Sequence, residues 1–78
     1  MFRFAKDTVC SSLSNMLERY GYSTVESIEN AGFKIINNQV IAPKNTPFEF
    51  LSDKTGNVEL EVYGEEFLFC NGVEAIID

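Results

Sequence analysis

At Gly32 the apolar pattern of this chain changes period, and that change constrains its fold more than any other feature. Before it, Val9, Leu13, Met16, Leu17 and Tyr20 recur at i, i+4, i+7, i+8 and i+11, the spacing of one helix face. After it, apolar residues recur in the short alternating runs of strands. The expected order is therefore helix first and sheet second.

Local signals place the boundaries. Asp7 is a candidate N-cap for the first helix, although Phe2 and Ala5 lie roughly on the same face and are compatible with an earlier start. Gly21 suits the left-handed residue that closes the helix, with Tyr22 falling back on Leu17. Ser23 and Glu26 form an S-x-x-E capping box for a second helix that ends at Asn30-Ala31-Gly32, with Phe33 falling back on Ile28. Asn37-Asn38 then predicts a hairpin turn that sets Ile35 opposite Val40 and Phe33 opposite Ala42. Within residues 46–55, Thr46-Pro47-Phe48-Glu49 reads as a helix start while Phe48 and Phe50 alternate as in a strand, and the alternation is favoured. Ser52 to Asn57 is expected to be loop.

The last third reads as a meander. Val58, Leu60 and Val62 alternate with Glu59, Glu61 and Tyr63, Gly64-Glu65 is the expected turn, and Phe67 to Cys70 returns. That turn pairs Val62 with Phe67 and Leu60 with Phe69. Asn71-Gly72 signals a second turn leading into Val73 to Ile77. The expectation is one α+β domain over residues 1–78. Two N-terminal helices pack on a mainly antiparallel sheet of four or five strands that ends in a β-meander.

Several chemistries lack their residues. The chain has no histidine, which removes the usual base near neutral pH and any Ser-His or Cys-His nucleophile. Cys10 and Cys70 alone do not make a zinc site. Asp53, Thr55, Asn57 and Glu59 place glycine and the final acid wrongly for a calcium loop. The five glycines stand singly, so no phosphate loop is present. No catalytic residue, metal or cofactor is expected. Arg3, Lys6 and Asp7 interrupt the N-terminal apolar stretch, so we expect a cytoplasmic protein without membrane contact, its two thiols buried and unpaired.

Charge is the remaining signal. The net charge is −6, and it is carried by the second half. Glu49, Asp53, Glu59, Glu61, Glu65, Glu66, Glu74 and Asp78 face Lys54 alone there. Such a field repels nucleic acid and attracts a basic protein surface. Glu59 and Glu61 begin a row of like charge along a strand face, which Glu65, Glu66 and Asp53 are placed to extend, with Tyr63 an aromatic contact among them. This predicts a small acidic interaction domain that inhibits or modulates a larger, nucleic-acid-handling protein by charge mimicry. The alternative is a homo-oligomeric structural domain, associating through the apolar strip Leu68, Cys70, Val73, Ala75 and Ile77. For any single glutamate, an ordinary solvated sheet face is the simpler account.

Overall fold

A computed structural model describes residues 1–70 and 73–78, with the backbone only at residue 54. Among the described residues the chain forms β1 (Phe2–Phe4), β2 (Thr8–Ser12), α1 (Leu13–Arg19), α2 (Val25–Ala31), β3 (Lys34–Ile36), β4 (Gln39–Ala42), β5 (Pro47–Lys54), β6 (Asn57–Val62), β7 (Glu65–Phe69) and β8 (Ala75–Ile77). The class is α+β, with every strand pairing antiparallel. The architecture departs from the expected single sheet. The strands divide into a five-stranded sheet of order β7-β6-β5-β1-β8 and a three-stranded sheet of order β2-β4-β3.

The chain opens with strands where a helix was expected. Thr8-Val9-Cys10-Ser11-Ser12 consists of poor helix formers, and it gains a ladder on β4, with Val9 opposite Ile41 and Ser12 opposite Gln39. Helix α1 therefore begins later than Asp7: Ser12 is the N-cap, its Oγ accepting from Asn15 N at 3.1 Å. The helical face survives in Leu13, Met16, Leu17 and Tyr20, of which Met16 is fully buried. Val9 belongs to the strand and is exposed. The cap of α2 is displaced by one residue from Ser23/Glu26 to Thr24/Ser27. Thr24 Oγ1 accepts from Ser27 N at 3.1 Å, and Ser27 Oγ accepts from Thr24 N at 3.2 Å. Each helix is only seven residues long, too short to be stable alone, so each is held by the face it buries.

The β3–β4 hairpin forms as its turn residues require. Asn37 and Asn38 take φ of 51° and 61°, and Ile35 faces Val40. Residues 47–54 are strand, which settles the ambiguity over residues 46–55, and the loop after it shrinks to Thr55-Gly56. The β6–β7 turn is Tyr63-Gly64, with φ of 51° and 83°, instead of Gly64-Glu65. Leu60 therefore meets Phe67 and Val58 meets Phe69. A slip of two residues leaves every side chain on its expected face. The Asn71-Gly72 turn lies outside the described residues.

The core collects Phe4, Met16, Ile28, Phe33, Val40, Leu60 and Phe67 from both sheets and both helices. The five-stranded sheet is curled around it. Phe4 on β1 and Phe69 on β7 are three strands apart, about 14 Å in a flat sheet, yet their ring centroids are 6.2 Å apart. Contrary to expectation only one thiol is shielded. Cys10 is half-buried and burial pushes its thiol up to about 12, whereas Cys70 is exposed.

Asp7 ties three segments together in place of capping a helix. Its Oδ1 accepts from Lys44 N at 2.7 Å and its Oδ2 from Lys34 Nζ at 3.1 Å. The Lys44 amide, then Lys34, hold its carboxyl below the ordinary value of 3.8. A depressed native pKa contributes stability that is complete above the unfolded value and is lost as pH falls towards the folded one. Asp7→Asn is expected to melt below the wild type at about pH 6, with the gap closing as pH falls below about 4. Melting curves across that range test this, and a gap independent of pH would contradict it.

Candidate acidic interface

The five-stranded sheet presents one face to the core, and the side chains directly opposite one another across strands share a face. Phe48, Leu60, Val62 and Phe67 are buried on the inner face. The residues alternating with them point outward, and the register aligns their charges. Glu49 on β5 is opposite Glu61 on β6, and Glu61 is opposite Glu66 on β7. Three carboxylate side chains thus form a row across three strands, over about 10 Å of sheet. Glu59, two residues along β6, stands about 7 Å from Glu61 on the same face.

A bulge at Leu51 completes this surface. Phe50 is opposite Leu60 but Ser52 is opposite Glu59, so one extra residue is accommodated between them. The bulge brings Ser52 to the outer face, where its Oγ donates to Glu59 Oε1 at 2.9 Å. It also sets Asp53 opposite Val58, away from the acidic row that it was expected to extend.

No cation neutralises the row among the described residues. Their three ion pairs are Arg3 with Asp78, Lys6 with Glu74 and Lys34 with Asp7, all elsewhere. Like charges directly opposite in a sheet are destabilising.

Of the expected contact residues, Glu65 stands apart from this face and Tyr63 borders it. Glu65 is opposite Val62 and close enough to Tyr20 and Tyr22 that its charge, after burial, raises both phenols above their ordinary value. Tyr63, in the turn with φ of 51°, is 41% exposed. Its ring packs edge-on against Phe33 at 5.2 Å and its hydroxyl lies 3.5 Å from Thr46 Oγ1. Glu59, Glu61 and Glu66 are the members brought together. Glu49 joins them, and its only local signal is its place between Phe48 and Phe50.

The expected self-association strip is dispersed. Strands β7 and β8 occupy opposite edges of the sheet. Leu68 is exposed on the outer face opposite Glu59, and Cys70 follows β7. Ala75 and Ile77 are opposite Phe4 and Phe2 on the other face, and Val73 packs against the core.

Beside the acidic row, a shallow groove of about 580 Å³ crosses β1, β5 and β6. Glu49 and Glu61 contribute to it, and the rest of its lining is Tyr63 with apolar residues that include Met1, Pro47 and Phe50. No group of three or more Cys, Asp or Glu side chains among the described residues is poised to hold a metal. No helix among them is long and apolar enough to cross a membrane. The chain matches no protein-family model, no curated protein and no solved structure.

Proposed function

We propose that this chain is a protein-interaction domain whose outer face on β5, β6 and β7 binds a basic surface of a larger protein. Bound there, it inhibits or modulates the partner by occupying a surface that otherwise receives nucleic acid. One observation carries the reading: Glu49, Glu61 and Glu66 stand side by side across three strands without a cation among the described residues. Each like-charge pair costs the fold about 0.2–1 kcal/mol. Such a cost is characteristic of a surface kept for a partner, which supplies the missing positive charge on binding. Glu59 lies beside the row and widens it.

Capture from lysate of the source cells, with wild type beside Glu61→Lys, tests the proposal. Wild type is expected to enrich a basic protein, to release it with added nucleic acid and with rising salt, and to lose it on Glu61→Lys. Equal capture by both proteins would overturn the reading.

A further inference from the structure

We propose, resting on the interface reading above, that the groove beside the acidic row receives an arginine side chain presented by the partner protein. Glu49 and Glu61 are directly opposite each other on neighbouring strands, which places their Cα atoms about 4.5–5.5 Å apart. Both contribute to the groove, so one cation entering it meets two carboxylates. Most of the remaining lining is apolar, with Met1 and Pro47 among it beside Tyr63, and Met1 and Tyr63 are exposed.

This pairing of two acids with an apolar wall selects the occupant. A purely apolar segment would cover both carboxylates without replacing the water they lose. A phosphate or other anion meets two like charges. A lysine ammonium satisfies the charge but is compact and strongly hydrated. The guanidinium is planar, weakly hydrated and carries five donors, so it serves two carboxylates at once while its stem and face lie on apolar lining. The groove volume of about 580 Å³ lies within the usual range for small-molecule sites, about 300–1,000 Å³. It accommodates the arginine together with a flanking apolar residue.

The test is an amide NMR titration of the full chain with three capped pentapeptides, Gly-Leu-X-Leu-Gly, in which X is arginine, lysine or citrulline. The arginine peptide is expected to shift the amides of Glu49, Phe50 and Glu61 and to bind about tenfold more tightly than the citrulline peptide. The lysine peptide is expected to fall between them. Glu49→Gln is expected to weaken the arginine peptide about tenfold while leaving the spectrum folded. Equal affinity for all three peptides, or shifts at Glu59 and Glu66 with Glu49 and Glu61 unmoved, would overturn the groove inference. If capture of a basic protein persists and remains sensitive to Glu61→Lys, the interface reading stands without the groove. Loss of both removes the two together.

Discussion

Phe67→Ala is expected to leave the domain without a cooperative unfolding transition at 25 °C. Phe67 is 2% exposed and lies opposite Leu60 in the sheet. Its ring meets Tyr20 at 5.1 Å, Phe33 at 5.9 Å and Phe69 at 6.4 Å. Those partners follow α1, precede β3 and lie on β7 itself, so a single side chain joins the large sheet to both helical segments. Truncating a buried phenylalanine costs about 3–5 kcal/mol. Globular domains are stable by only about 5–15 kcal/mol, and small ones sit near the lower end. Urea titration followed by far-ultraviolet circular dichroism measures the effect. Phe67→Leu, which keeps most of the volume, is expected to retain a transition at lower urea. A cooperative Phe67→Ala transition close to the wild-type midpoint would show that the core does not converge on this residue.

Gly32→Ala is expected to cost about 2–4 kcal/mol, from two separable causes. Gly32 has φ of +122°, a conformation that imposes about 1–3 kcal/mol of strain on an L-residue. The added Cβ would also sit 2.5 Å from Tyr63 Cζ, so the tyrosine ring must leave its seat. Displacing it forfeits the edge-on contact with Phe33, worth about 0.5–1.5 kcal/mol. A double-mutant cycle with Tyr63→Ala separates the two. In the Tyr63→Ala background Gly32→Ala should cost only the backbone strain. If Gly32→Ala costs the same in both backgrounds, the ring does not occupy the space above Gly32.

What the sequence discloses and what it conceals divide along local and long-range physics. The Asn37-Asn38 turn, the Ile35–Val40 pairing and the α1 core face are written in neighbouring residues, and the structure forms them. Strands β1 and β2 were hidden because Phe2, Ala5, Val9 and Leu13 also fit a helical spacing. Only pairing with β5, β8 and β4 resolves the choice. The same lack of local signal hides the passage of β8 to the far edge, which disperses the strip Leu68 to Ile77. The β6–β7 register is ambiguous because Tyr63-Gly64 and Gly64-Glu65 both offer a glycine, and the pairings that they set differ by two residues, which alternation does not distinguish. Glu59, Glu61 and Glu66 were legible as acidic, but the row needs Glu49. Its place opposite Glu61 follows from the hairpin register, which has no sequence signature of its own.

The most direct measurement compares Glu61→Lys with wild type for both melting temperature and partner capture on the same preparations. Lysine at the centre of the row converts two repulsive cross-strand pairs, with Glu49 and Glu66, into attractive ones. The expected gain is about 0.5–1.5 kcal/mol, or roughly 3–8 °C for a domain of this size. A higher melting temperature together with lost capture is the expected result, since the fold is then relieved of a charge that binding requires. An unchanged or lower melting temperature with capture intact would contradict it and make the acidic row an ordinary solvated face.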